Sequence, residues 1–273
     1  ADGDGRAGRG GRRPVRIVVG VADGCTGGPD PAGADADAQR ARTKAIGDAL
    51  RGKGHPVICS TIGDRRGEVG EVPGLKKATG RAALLEGSRL VQIDAATGRL
   101  DVVVNNAFAP YRFDPDQRQR FWETSWSAYQ TQFDGAVNAC YNVCQAALPL
   151  MRRRARGSII NLVSDLIARP AVAYHDYITA KTALPGFSRT LAAELGALGI
   201  RVNCVAPGLV YPTDASQHTP EAVRHALTAQ TPLGRLARAA DIAGPVLFLA
   251  SAWSEFVTGQ TLYVDGGLVM QDH

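Results

Sequence analysis

Ser158-Ile159-Ile160-Asn161-Leu162-Val163, ending at Ser164, is the run whose reading decides the fold. Its apolar residues follow one another without the polar alternation of a half-exposed strand, as expected of a strand buried on both faces. Runs of the same kind stand at residues 101–105 (DVVVN), 200–205 (IRVNCV) and 261–264 (TLYV), with longer stretches of helical pattern between them. Short β-branched runs separated by helices read as βαβ units on a parallel sheet.

The stretch 126–153 places Phe133, Val137, Cys140, Tyr141, Cys144, Ala147 and Leu148 at spacings of three and four, one apolar stripe of a long helix. A second helix is expected over 177–195, where Pro185 removes a backbone donor one to two turns past Lys181. Upstream, 15–20 (VRIVVG) and 56–60 (PVICS) read as strands joined by a helix over 38–54. No internal repeat is visible. The expected architecture is α/β, with a doubly wound parallel sheet of about seven strands, helices on both faces, and a single domain over 15–273.

Composition agrees with a globular chain: of 273 residues, 45% are hydrophobic and 21% charged. No apolar run reaches the length of a membrane span and no short apolar stretch follows a basic start, so a soluble cytoplasmic protein is expected. The cysteines, Cys25, Cys59, Cys140, Cys144 and Cys204, lack CxxC spacing and are expected as reduced thiols rather than metal ligands. Arg6, Arg9, Arg12, Arg13 and Arg16 crowd a Gly-rich start, and residues 1–14 read as a flexible basic tail. No stacking aromatics accompany these arginines, so no nucleic-acid partner is expected.

The strongest chemical signal is Tyr177-Ile178-Thr179-Ala180-Lys181, which sets a phenol and an ammonium one turn apart on one helical face. A positive charge beside a phenol favours phenolate; a three-unit fall in pKa corresponds to roughly 4 kcal/mol of differential stabilisation. Alone, this spacing more often marks a solvated pair. Thirteen residues earlier, however, Ser164 follows SIINLV and therefore sits at a carboxyl strand end, where open α/β sheets build their sites.

Taken in order, Asn105-Asn106-Ala107, Ser164, Tyr177 with Lys181, Asn203 with Pro207-Gly208, and Val264-Asp265-Gly266-Gly267 resemble the short-chain dehydrogenases/reductases. The resemblance runs from about Asp101 to Met270, and the stretches PLGRLARAADIAGPVLFLAS and VTGQTLYVDGG look most like the 3-oxoacyl-acyl-carrier-protein reductase branch. It implies a Rossmann-type sheet binding NADP, or NAD, across its carboxyl edge. Ser164, Tyr177 and Lys181 would be catalytic, with Tyr177 and Lys181 also meeting the nicotinamide ribose. Asn105 and Ala107 would line the adenosine side, and Pro207, Gly208, Val210 and Thr213 would face the carboxamide, Thr213 standing one place later than the usual threonine. A homotetramer or homodimer is implied as well.

Three features depart from that pattern. Counting back from Ser164 puts Ala136 where the family carries an Asn that links the catalytic Lys to solvent; Asn138 lies about 200 degrees further round an ideal helix. Gly20, Gly24, Gly27 and Gly28 offer amides for a pyrophosphate, but TGxxxGxG spacing is absent, and Ala41, Arg42 and Thr43 fall where GxG is expected. Asp94 leaves no room for the usual helix before the next strand. Arg65 and Arg66 after the second strand suit a 2′-phosphate, favouring NADP, or simply an exposed loop. Arg152, Arg153, Arg154 and Arg156 close the long helix as a solvated end or as a landing surface for an acidic carrier protein.

The expected activity is reduction of a ketone to a secondary alcohol, a small-molecule carbonyl or a 3-oxoacyl thioester of carrier protein or CoA, with Tyr177 as proton donor. The alternative is a binding or scaffold subunit of the same fold with impaired nucleotide binding.

Overall fold

The computed structural model describes the backbone of residues 17–22 and 57–62, and residues 100–270 except 107, 110 and 214. Among the described residues six strands form one parallel sheet: β1 (Ile17–Ala22), β2 (Val57–Ile62), β3 (Val102–Asn105), β4 (Gly157–Leu162), β5 (Ile200–Pro207) and β6 (Thr261–Val264). Their spatial order is β2-β1-β3-β4-β5-β6. The order reverses between β1 and β3, where doubly wound sheets open a crevice at their carboxyl edge. The expected helix over 38–54 lies outside the described residues, as do the basic tail and the stretch 63–99.

Helices α1 (Trp126–Phe133), α2 (Ala139–Arg152) and α3 (His175–Leu195) precede or follow β4, and α4 (Glu221–Gln230) and α5 (Ala239–Ala250) lie between β5 and β6. All residues of β3 and β4 are buried, which is why their sequences carry no polar alternation. Val103, Ile159 and Val202 face Ala147, Met151 and Leu195 of α2 and α3. Val102, Val104, Ile160 and Val205 pack against Ile242, Val246 and Leu249 of α5 on the other face. Both layers therefore bury one apolar stripe of helix on each side of the central strands.

One polar row crosses this core. Asn105, Asn161 and Cys204 are register partners on adjacent strands. Asn105 Nδ2 donates to Asn161 Oδ1 at 2.7 Å, Asn161 Nδ2 donates to Ser188 Oγ at 2.7 Å, and Ser188 in turn donates to the Leu184 carbonyl at 2.7 Å. The row is satisfied link by link, as buried polar groups must be, and it fastens α3 to β3 and β4 just below the sheet edge.

The long helix differs from the single α-helix expected over 126–153: a π turn at Asp134–Asn138 separates α1 from α2. A π turn inserts an extra residue into the helix and rotates everything beyond it. Beyond it Cys140, Cys144 and Ala147 of the expected stripe are buried, Tyr141 at the edge of that stripe is 50% exposed, and Val143, Leu150 and Met151 also face the core. Gly135 within the turn is required by contact: a Cβ there would lie 2.6 Å from Ala109 Cβ and 2.8 Å from Ala109 Cα.

Candidate active site

The carboxyl ends of β3, β4 and β5 deliver the site. After β3 come Asn106 and Phe108, after β4 comes Ser164, and β5 ends in Pro207 followed by Gly208. Helix α3 starts at His175, so Tyr177 and Lys181 lie in its first two turns, on the face turned to the sheet. Both are buried, Lys181 to 2% exposure.

Lys181 Nζ donates to the Leu162 carbonyl at the end of β4 (2.8 Å) and stands 5.1 Å from the Phe108 ring centroid and 5.9 Å from that of Tyr177. A buried ammonium demands compensation. Here a strand-end carbonyl and two aromatic faces contribute to it. Ala136 is buried at the place where the family resemblance implies an Asn, and Asn138 is exposed and accepts from Asn142 Nδ2 at 3.3 Å, so the π turn does not bring Asn138 inward.

Ser164 caps the short 3-10 turn Asp165–Ile167: its Oγ accepts from the Leu166 N–H at 3.3 Å and its hydroxyl donates to Asp165 Oδ1 at 3.3 Å. Burial first, and then the charge of Asp265, push the Asp165 carboxyl up to about 6. Asp265 is also buried, its carboxylate accepting from the N–H groups of Gly267 (3.0 Å) and Val269 (2.8 Å). Gly208 fills the gap between the two acids; a Cβ on it would lie 3.0 Å from Asp265 Cβ and 3.4 Å from Asp165 Oδ2.

An aromatic cluster covers the other side of Tyr177. Phe113 meets it edge-on with centroids 5.0 Å apart, Tyr111 lies tilted at 5.1 Å and Phe108 edge-on at 6.0 Å. Tyr174 closes the cluster against Tyr111 and Phe113. The Tyr111 hydroxyl donates to Asp176 Oδ1 at 2.8 Å, and that oxygen also accepts from the Tyr177 N–H at 2.9 Å. Burial and the Asp176 carboxylate both raise the Tyr111 pKa, so Tyr111 remains a neutral phenol.

Two cavities meet at Tyr177, one of about 40 Å³ and one of about 170 Å³. Asn106, Phe108, Lys181, Pro207, Val210 and Thr213 line the smaller. Ser164, Asp165, Phe113, Tyr174, Gly208 and Arg169 are among those lining the larger, and Tyr177, Pro207, Val210 and Thr213 belong to both. Thr213 is held by Ser216, whose Oγ lies 2.8 Å from Thr213 Oγ1. Most of the expected residues are thus gathered around one phenol. Asn105 points into the polar row of the sheet, Gly20 lies in β1, and Gly24 and Ala107 lie outside the described residues, as do Arg65, Arg66 and Asp94.

The smaller cavity offers donors that suit a nicotinamide ribose and carboxamide, a buried ammonium at Lys181 and a hydroxyl at Thr213. Sequence reasoning did not single out Asp165, Tyr174 or Gly135. Asp165 had a signal, an acid directly after the strand-end serine; Gly135 had the weaker one of a glycine within a helical run. Tyr174 had none beyond its nearness to Tyr177.

A family profile described as enoyl-(acyl carrier protein) reductase matches residues 88–269. The chain is 37% identical over 174 residues to the 3-oxoacyl-[acyl-carrier-protein] reductase FabG of Chlamydia muridarum, covering 64% of this chain and 67% of that one. It is 32% identical over 241 residues to FabG of Escherichia coli, covering 85% of this chain and 95% of its relative. Among solved structures, an oxidoreductase of the short-chain dehydrogenase/reductase family from Burkholderia thailandensis superimposes with a TM-score of 0.71 at 24% identity, covering 94% of this chain and 93% of the other. That last likeness concerns the fold.

Proposed function

Because the chain belongs to the short-chain dehydrogenase/reductase family of NAD(P)-dependent oxidoreductases, on the side of its 3-oxoacyl-acyl-carrier-protein reductases, we propose that it reduces a ketone to a secondary alcohol. A 3-oxoacyl thioester is the substrate class favoured by its relatives' names. The observation that carries the reading is the gathering of Ser164, Tyr177 and Lys181 around two cavities that share one phenol.

A reduced nicotinamide, when bound, supplies the hydride. This chain's own residues do the rest. Ser164 Oγ–H donates to the substrate carbonyl oxygen in the larger cavity, drawing electron density off the carbon. Tyr177 gives its phenolic proton to the oxygen as negative charge develops there. Lys181, anchored on the Leu162 carbonyl, keeps a positive charge beneath the phenol and so favours its loss of that proton. Pro207, Val210 and Thr213 bound the nicotinamide side, and Phe113 and Tyr174 keep water from the substrate side. With Ala136 in place of an amide side chain, the proton returning to Tyr177 follows another path than the family's.

NADP is the favoured cofactor, supported by Arg65 and Arg66 after β2, with NAD second. A sheet of about seven strands, a single domain over 15–273, a cytoplasmic setting where nicotinamide pools are available, and a homodimer or homotetramer complete the reading. Trp126 on α1 and Tyr141 on α2, 74% and 50% exposed, support an isologous contact along the long helix. Among the described residues no helix is long and apolar enough to cross a membrane.

Titration with NADPH and NADH, followed by nicotinamide fluorescence, tests the proposal. Saturable NADPH binding tighter than NADH binding is the expected result. Binding of neither would favour a scaffold subunit, the reading that the irregular glycine loop suggests.

A further inference from the structure

We propose that Asp165 is a positioning residue for Ser164, and that its protonated carboxyl, not its carboxylate, turns the Ser164 hydroxyl toward the substrate carbonyl. The inference rests on the reading above that Ser164 polarises that carbonyl.

A serine hydroxyl has one hydrogen to give and two lone pairs to offer. In Ser164 one lone pair takes the Leu166 N–H, and the hydrogen points at Asp165 Oδ1. An ionised Asp165 can only accept, and an ionised acceptor makes the stronger bond. It therefore competes with the substrate for the one hydrogen, and the lone pair left toward the cavity repels a carbonyl oxygen. A protonated Asp165 reverses the bond: its own O–H donates to the second lone pair of Ser164, and the Ser164 hydrogen is released to the substrate. Asp165 keeps its proton throughout; the proton added to the product still comes from Tyr177.

The surroundings bring the protonated form within reach of mildly acidic pH. Asp165 is 7% exposed, lines the larger cavity beside Ser164, and is separated from Asp265 by the bare backbone of Gly208. Ser164 and the Leu166 N–H face it from its own turn, and Arg169 from further along the same loop. Asp265, in the loop after β6, is the like charge that opposes ionisation, and Arg169 is the opposite charge that favours it. Two backbone N–H groups hold the Asp265 carboxylate in place opposite Asp165. Asp165 therefore titrates near 6.

The test is the pH profile of kcat/KM for NADPH-dependent reduction of acetoacetyl-CoA and simple ketones by the native protein, Asp165→Asn and Asp265→Asn. The native value should rise by about tenfold as pH falls from about 8 to about 5. In Asp165→Asn, whose amide donates to Ser164 at every pH, that limb should vanish and the rate at about pH 8 should exceed the native rate by about tenfold. Asp265→Asn removes the like charge, so the limb should persist but move to lower pH. An Asp165→Asn profile that keeps the native limb, or lies below the native one at every pH while melting at the native temperature, overturns the inference. So does a limb that stays in place in Asp265→Asn. A native protein that reduces ketones with no limb near 6 removes this inference alone; one that reduces no ketone removes the underlying function as well.

Discussion

The smaller cavity beside Lys181 is lined mostly by residues at the ends of β3, β4 and β5 or in the first turns of α3, joined by Val210 and Thr213 after β5 and by Ala239 and Ile242 of α5, whereas the larger one beside Ser164 draws its walls from five separate segments between Phe113 and Leu268. The two also differ in chemistry. An ammonium held by a strand-end carbonyl dominates the first; two buried carboxyls and an aromatic cluster dominate the second. Residues tied to the sheet edge inherit their positions from the fold, while residues on loops can change wall by wall without disturbing the sheet.

If Tyr177 is the shared wall and the proton donor, Tyr177→Phe should lower ketone reduction by about three orders of magnitude or more while leaving NADPH affinity within about twofold. Steady-state rates and a fluorescence titration on the same sample check both halves. A next, smaller effect separates scaffold from wall. Gly135→Ala drives a methyl against Ala109, in the segment that carries Phe108, and should cost about 1–3 kcal/mol in denaturant unfolding. Because Phe108 lies over Lys181 and lines the smaller cavity, NADPH affinity should fall as well. An unchanged unfolding midpoint would show that the π turn yields without cost.

Phe113→Ala is the contrasting change on the other side. Phe113 lines the larger cavity only, so KM for the ketone should rise about five- to tenfold with NADPH affinity unaltered. Equal losses in both constants would mean that the two cavities are one site. The smallest effect belongs to the rim. Asp241, at the start of α5, accepts from both terminal nitrogens of Arg235 (2.6 and 2.9 Å) and from the Arg238 N–H at 2.7 Å. Arg235, first, and the Arg238 N–H hold its carboxyl down at about 2. A depressed carboxyl pKa contributes stability that is present above the unfolded aspartate value and is lost as pH falls from about 4 to about 2. Asp241→Asn should therefore lower the melting temperature by about 2 °C or less near neutrality, where solvent screening weakens the pair, and by nothing once the native carboxyl is protonated.

How much of this was legible in the sequence follows the same division. The strands around Val103, Ile159 and Val202 were readable because burial on both faces demands apolar runs, and Ser164, Tyr177 and Lys181 because strand ends and helical spacing are local properties. The π turn was not, since it rearranges hydrogen bonds without any residue that requires it; Tyr141, next to the buried Cys140, sits at the edge of the apolar stripe, where periodicity does not decide exposure. The side chain of Asn105 is bonded to Asn161, and which way a strand's last residue turns depends on register with its neighbour, which the sequence does not carry. The pairing of Asp165 with Asp265 joins residues a hundred positions apart through the bare backbone of Gly208, and no periodicity carries that information.

On the proposed function, a nicotinamide beside Lys181 and a ketone beside Ser164 react across Tyr177. A stoichiometric assay tests it most directly: NADPH consumed and alcohol formed are counted in the same reaction with acetoacetyl-CoA, for the native protein and for Tyr177→Phe. One alcohol per NADPH is expected with the native protein and almost none with the variant, although both bind NADPH. NADPH binding without alcohol formation by the native protein on any ketone tried, or undiminished turnover in Tyr177→Phe, would contradict it.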